Sequence, residues 1–107
     1  MSLSVVVTTL GSEAEAQAIA RQLVTERLAA CVQIIPCESH YIYEGKQEAS
    51  REWRLEMKTA DAARERLLAR TEELHPYDLP EVIALPIATA SADYAAWVCN
   101  AVAPSSE

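Results

Sequence analysis

The side chains best suited to bind a metal ion or to act as a nucleophile are two histidines, His40 and His75, and three cysteines. Imidazole and thiolate are the ligands that copper and zinc favour in proteins. These side chains show neither CxxC nor H-E-x-x-H spacing, so no closed ligand set is predicted. We expect His75 to be the first candidate metal ligand and Cys99 the second, with His40 a weaker alternative.

Each of these residues also has a purely structural interpretation. His75 precedes Pro76 at the end of a predicted helix, where its ring can bond to nearby backbone. Cys31 begins an apolar strand, and free cysteine is among the residue types most often buried. Cys99 lies off the apolar stripe of the last predicted helix, so we expect it to be accessible to oxidation or adventitious metal.

Motifs for catalysis are missing from the sequence. It contains no G-x-S-x-G, no P-loop, no G-x-G-x-x-G and no H-E-x-x-H, and its two glycines are too few to build anion-binding loops. The two histidines are far apart in sequence and form no obvious nucleophile–base pair. We therefore predict that the protein is not an enzyme and requires no cofactor.

Composition limits the partners. The net charge is −7 and the sequence pI is about 4.8, which disfavours binding to nucleic acid or to an anionic membrane. No apolar run approaches the ~20 residues that span a bilayer. Residues 1–5 lack a basic region and a cleavage site, and three cysteines with no CxxC spacing are typical of free thiols, so we expect a cytoplasmic location.

Hydrophobic spacing predicts seven elements in 107 residues. The first helix is expected to start at the Ser12 cap and to run to about Leu28. A strand interrupted near Pro36, by a bulge or at a sheet edge, is followed by one in which Trp53, Leu55 and Met57 alternate with polar residues. In order, the predicted elements are strand 4–9, helix 12–28, strand 31–43, a strand centred on 53–58, helix 61–75, strand 82–87 and a helix capped by Ser91.

The order β-α-β-β-α-β-α places two right-handed crossovers around one sheet. It predicts an α+β fold, a ferredoxin-like βαββαβ sandwich with a long β2–β3 hairpin and an extra C-terminal helix. Residues 1–107 are expected to form a single domain with a frayed tail at 103–107. On the last helix, Tyr94, Trp97, Val98 and Ala101 are expected to share one face. Tyr94 and Trp97 are expected in the core or at an interface, with a ligand-stacking role as the alternative.

The predicted hairpin is too long for the domain. Each arm has about 12 residues and extends to roughly 40 Å, whereas a compact domain of this length is about 35 Å across. Its tip would therefore expose unpaired edges and the aromatic side chains of Tyr41 and Tyr43. We expect self-association to cover the hairpin, with Tyr41, Tyr43 and Trp53 at the interface.

Six segments, in register along nearly the whole chain, identify the resemblance to a known family. The sequence resembles CutA proteins at RLAACVQIIP (27–36), Y-x-Y-x-G (41–45), E-x-K-T (56–59), HPYDLPE (75–81), L-P-I (85–87) and Y-x-x-W (94–97). One departure from the pattern is Tyr43, which stands where the family's hairpin tip carries tryptophan.

The resemblance implies a ferredoxin-like protomer, a homotrimer built through the hairpin, and a role in tolerance to copper and other divalent cations. In some members a cysteine at position 8 and a His-His pair at positions 74 and 75 form the copper site. Here Thr8 and Leu74 replace two of those ligands and only His75 remains. We therefore expect copper or another divalent cation to bind weakly, if it binds at all.

Clefts between subunits are a second candidate site. We place Cys31, Glu56, Lys58, Tyr77 and Glu81 there, with a solvated, salt-bridged sheet face as the alternative for Glu56 and Lys58. The resemblance of the trimer to nitrogen-regulatory proteins leaves a second functional hypothesis open, a small-ligand sensor or signalling scaffold that binds ligands in these clefts.

Overall fold

The computed structural model describes residues 2–104, and residues 105–107 of the predicted frayed tail lie outside the described part. Its elements follow the predicted β-α-β-β-α-β-α order. They are β1 (Leu3–Leu10), α1 (Glu13–Thr25), β2 (Cys31–Tyr43), β3 (Lys46–Ala60), α2 (Asp61–Leu74), β4 (Val82–Ile87) and α3 (Ala92–Ala101).

The four strands form one antiparallel sheet in the order β2-β3-β1-β4. This is the predicted ferredoxin-like arrangement, in which α1 and α2 each cross over from one strand to the next but one. The edge strands carry the prolines, Pro36 on β2 and Pro86 on β4, where a missing backbone N–H disrupts no central ladder. Pairing of β2 with β3 is uninterrupted past Pro36, so the edge interpretation is right and no bulge forms there.

Helix α1 begins as predicted but ends three residues early. The Ser12 hydroxyl caps it by accepting a hydrogen bond from the Glu15 backbone N–H. At the other end Arg27 has a φ of 60°, and the N–H groups of Arg27 and Leu28 bond back to the carbonyls of Val24 and Leu23. This is the Schellman arrangement, in which one left-handed residue stops the helix. The predicted end near Leu28 was wrong because a turn that usually uses glycine is here made by arginine.

The main core lies between the sheet and helices α1 and α2. The side chains of Val6, Leu10, Leu55, Met57 and Leu67 are fully buried there. Strand residues of even number on β1 and odd number on β3 supply the sheet side of this core, as the strand alternation predicted.

Helix α3 covers part of the opposite face of the sheet, packing against Leu3 and Ala60 at one end. The buried face of α3 consists of Ala95, Val98 and the following Val102. Tyr94 and Trp97 do not lie in the core, since they are 39% and 51% exposed and stack on each other at 5.7 Å. Their place at an interface stays a prediction. Small side chains let the helix approach the sheet closely, and the two large rings stay outside.

The β2–β3 hairpin extends beyond the rest of the domain, as its length predicted. The molecule measures 47 × 29 × 20 Å. The strands stay paired from Cys31 opposite Lys58 to Tyr43 opposite Lys46. Glu44 and Gly45 form the two-residue turn, and both have positive φ values, as a turn matched to the strand twist requires. Tyr41 and Tyr43 are each 44% exposed at this tip and Ile42 is 77% exposed.

Candidate functional site

His75 is held where the second helix ends and the loop to β4 begins. It is the C-cap of α2 with an extended backbone, as expected for a residue before proline. Its Nε2 lies 2.8 Å from the backbone oxygen of Thr9, and the backbone N–H of Tyr77 donates to its Nδ1 at 3.2 Å. Since a carbonyl only accepts, the ring carries its proton on Nε2 and uses the Nδ1 lone pair.

Both ring nitrogens of His75 are therefore engaged within the chain, and the side chain is buried. This arrangement is the structural alternative given above, a helix-ending histidine bonded to nearby backbone. A metal ion would have to displace one of these hydrogen bonds. Coordination of a metal ion by His75 stays a prediction, and it requires that one of these two hydrogen bonds be broken.

Tyr77 connects the same loop to the base of the hairpin. Its ring packs edge-on against His75 at 4.6 Å, and its hydroxyl donates to Glu52 Oε2 at 2.9 Å. Gly11 makes room for this contact, because a Cβ at that position would lie 2.9 Å from the Tyr77 hydroxyl oxygen. Burial, followed by the hydrogen bond to Glu52, raises the pKa of Tyr77 well above its ordinary value. Tyr77 consequently remains a donor over the whole physiological pH range.

Glu52 is the residue that sequence reasoning missed. On β3 it shares the polar parity of Arg54, Glu56 and Lys58, which predicts a solvated position, yet only 7% of its surface is exposed. Glu52 is buried because the loop of residues 75–81 covers it. Strand periodicity cannot predict this burial, because the contact joins segments that are 25 residues apart. The only indication in the sequence was that Glu52 directly precedes Trp53, the residue at which the apolar alternation of β3 begins.

A groove of about 930 Å³ lies between the hairpin and this loop. Glu52, Tyr77 and Glu81 line it together with Tyr41 and Tyr43 of the hairpin tip. The remaining lining residues are Thr9, Glu38, Ser39, His40, Ile42, Glu48, Asp78 and Leu79. The hairpin tyrosines and the loop residues Tyr77 and Glu81 were predicted in two separate sites, and in the structure they line the same groove.

The other predicted cleft residues lie farther along the same sheet face, outside this groove. Cys31 stands directly opposite Lys58, whose ammonium donates to Gln33 Oε1. Glu56 forms an ion pair with Arg54 at 3.2 Å, and both side chains are partly exposed. For Glu56 and Lys58 the structure shows the polar sheet face that was the alternative interpretation, and a place in a cleft between subunits stays a prediction. The five predicted cleft residues therefore occupy two neighbouring regions within one protomer.

Tyr94 borders the second of these regions. Burial raises the pKa of Tyr94, and the nearby Cys31 thiol adds to the shift. Trp53, predicted at the hairpin interface, lies on the helix-covered face and packs against the main core.

The cysteines and histidines do not converge. All three cysteines are free and partly buried, and Cys99 packs beside the Leu3–Ala60 cluster rather than standing fully accessible. His40 is exposed and lines the groove. Among residues 2–104, no group of three or more histidine, cysteine, aspartate or glutamate side chains is close enough to hold a metal ion. Within that part of the chain, no helix has the length and apolar character needed to cross a membrane.

Comparison with known proteins agrees with this architecture. The sequence profile of the family described as "CutA1 divalent ion tolerance protein" matches residues 4–101. A "Divalent-cation tolerance protein CutA" of Thermus thermophilus is 44% identical over 95 residues, which cover 88% of this chain and 92% of that protein. Its name describes tolerance and states no enzymatic activity.

Solved structures give the same result. CutA1 from Oryza sativa superposes with a TM-score of 0.92 at 36% identity, covering 98% of this chain and 97% of the rice chain. The structure described as the periplasmic divalent cation tolerance protein CutA from Archaeoglobus fulgidus gives a TM-score of 0.90 at 31% identity, with 94% and 98% covered.

Proposed function

The chain belongs to the CutA1 family of divalent ion tolerance proteins, and from this premise we propose that it acts in divalent-cation tolerance as a non-catalytic homotrimer. The observation that carries the proposal is the charge of the groove. Within residues 2–104, its lining includes five acidic residues and one histidine but no lysine or arginine. The acidic residues are Glu38, Glu48, Glu52, Asp78 and Glu81. Such a surface attracts cations and repels anions.

Exposed apolar side chains support the trimer. Besides the hairpin tip, Ile83 and Leu85 on β4 are each 45% exposed, and Ile35 on β2 is 40% exposed. All three lie on the sheet face that α3 covers only at one end. An apolar surface of this kind usually marks an interface, and a closed ring of three copies would cover it.

Metal binding is proposed to be weak and not structural. The main core is built of apolar side chains, while His75 uses both ring nitrogens and Thr8 and Leu74 offer no soft ligand. Copper or another divalent cation would therefore bind through His75 only if a neighbouring group compensated for a lost hydrogen bond. Surface chemistry at Cys99 is the competing route. A cytoplasmic location is proposed because all three thiols are free.

The test combines assembly and copper titration. Light scattering on a size-exclusion column should give about three times 11.7 kDa, and a monomer at micromolar concentration would contradict the trimer. Copper is then titrated into the wild type, His75→Ala and Cys99→Ser, each checked for the same assembly. Weak binding that His75→Ala removes supports the proposed ligand. Binding that only Cys99→Ser removes assigns the copper to a surface thiol, and chelation should leave the melting temperature unchanged.

The size of the groove favours a second function, a small-ligand sensor. At about 930 Å³ the groove is far larger than one metal ion needs and falls in the range of small-molecule sites. A ligand-dependent rise in melting temperature would support the sensor, whereas capture of a protein partner without any small-molecule effect would support a signalling scaffold.

A further inference from the structure

The β2–β3 hairpin is supported by a third strand along only part of its length. Residues 53–58 of β3 pair with β2 on one side and with β1 on the other. Strand β1 ends at Leu10, opposite Trp53. Beyond that point, within the described part of the chain, residues 37–43 and 46–52 pair only with each other, and we call them the ribbon. Two strands alone are marginally stable, so the direction of the ribbon depends on what holds its base.

One side-chain hydrogen bond joins the base of the ribbon to the rest of the domain. Glu52, the last residue of the ribbon, accepts it from the Tyr77 hydroxyl at 2.9 Å. Among the side-chain hydrogen bonds and ion pairs of residues 2–104, no other connects the ribbon to the remainder of the chain. The bond between Tyr41 and Ser50 lies within the ribbon itself.

The Tyr77 hydroxyl lies where strand β1 stops. Gly11 directly follows Leu10, the last residue of β1, and a Cβ on Gly11 would lie 2.9 Å from the hydroxyl oxygen. The φ of Gly11 is not positive, so the glycine is required for space and not for its backbone conformation. Tyr77 therefore contacts the ribbon at the point where the third strand ends, and a larger residue at position 11 would push its ring away from Glu52.

The loop that carries Tyr77 is fixed to the core. His75 closes α2, and its Nε2 donates to the carbonyl of Thr9 in β1. The Nδ1 of the same ring accepts from the Tyr77 backbone N–H, and the two rings pack edge-on at 4.6 Å. The contact between Tyr77 and Glu52 thus reaches back to a helix and a central strand. A side chain held in this way can impose one position on the segment that it contacts.

We propose that Tyr77 is a latch that sets the direction in which the ribbon leaves the domain and so prepares the chain for assembly with further copies of itself. With the latch closed, a neighbouring copy meets a ribbon in one orientation. With the latch open, the ribbon takes several directions, and ordering it becomes an added cost of assembly. Tyr77 is therefore a positioning residue. The inference rests on the proposed homotrimer and names the contact that prepares its hairpin.

The test is amide hydrogen exchange of the full chain, followed by mass spectrometry, with assembly verified by light scattering. Two variants open the latch in different ways. Tyr77→Phe removes the hydroxyl, and Gly11→Ala places a methyl group against it. Ser4→Ala is the matched control, because it removes another hydrogen bond from a hydroxyl to a carboxylate. That bond joins Ser4 to Asp61 at 2.6 Å, at the other end of β1.

The measured quantity is the exchange rate of the ribbon relative to that of residues 53–58, which are paired on both sides. We expect both latch variants to raise this ratio at least about fivefold, the effect of one lost hydrogen bond on local opening. Ser4→Ala should leave the ratio within about twofold of the wild type, because distant sites act independently. A ratio that is the same in all four proteins would overturn the latch.

Subunit exchange separates failure of the latch from failure of the trimer. Unlabelled and isotope-labelled copies of each protein are mixed, and native mass spectrometry follows the appearance of mixed assemblies. We expect the latch variants to exchange subunits at least about fivefold faster than the wild type and Ser4→Ala. Trimers of the latch variants that exchange as slowly as those of Ser4→Ala would overturn the inference and leave the proposed trimer intact. A monomeric wild type would overturn the trimer, and with it the assembly role of the latch.

Discussion

The two faces of the sheet follow the same alternation but are covered to different extents. Under α1 and α2, Val6, Leu55 and Met57 have no exposed surface. On the opposite face the ten-residue α3 covers one end only, and Ile83 and Leu85 remain 45% exposed. One face is covered by the chain itself, and the other retains exposed apolar surface. In the proposed trimer, folding would depend on the first face and assembly on the second.

The largest expected effect comes from truncating one leucine on each face. Leu55→Ala leaves a cavity in the helix-covered core and should lower the free energy of unfolding by about 3 kcal/mol. Leu85→Ala removes partly exposed surface and should lower it by less than about 1 kcal/mol per chain while weakening self-association. Denaturant unfolding at several protein concentrations separates the two, since only the Leu85→Ala effect should depend on concentration. Equal, concentration-independent losses would contradict the comparison.

The two histidines provide a second comparison of stability between a buried position and an exposed one. His75→Ala removes two hydrogen bonds and leaves the Thr9 carbonyl and the Tyr77 N–H without partners, so it should destabilise the protein by about 2 kcal/mol. His40 is exposed, and His40→Ala should change stability by no more than about 0.5 kcal/mol. Thermal unfolding of both variants measures the difference. Similar stabilities for the two variants would show that the His75 bonds contribute nothing.

A smaller effect is expected at alkaline pH. The folded state holds the Tyr77 phenol protonated above its ordinary pKa of about 10. The unfolded chain loses this proton first, so stability from Tyr77 is complete below about pH 10 and falls as pH rises further. Tyr77→Phe should have a free energy of unfolding about 1 kcal/mol lower than the wild type at neutral pH. Because phenylalanine does not ionise, this variant should not show the part of the stability loss above about pH 10 that comes from Tyr77. Parallel stability curves for wild type and Tyr77→Phe above pH 10 would contradict the prediction.

Much of the fold could be predicted because its signals are local. The bounds of β2 and β4, the start of α2 and the Ser12 and Ser91 caps all depend on residues a few positions apart. The predicted end of α1 was wrong, because arginine at position 27 gives no indication of a left-handed backbone. For α3 the sequence left core and interface open for Tyr94 and Trp97, because the periodicity of an apolar helix does not say which side will meet the sheet.

The candidate site was predicted only in part, since Tyr77, Glu81 and the hairpin tyrosines were named and Glu52 was not. Local periodicity and chain order determined the elements, the topology and the length of the hairpin. Tertiary structure alone decided that a glutamate with the spacing of a solvated residue is buried under the loop, and that His75 uses both ring nitrogens inside the chain. The physical reason is distance along the chain: Thr9 and His75 are 66 residues apart, and hydrogen bonds that join such segments form only when the sheet, helix and loop are already in place.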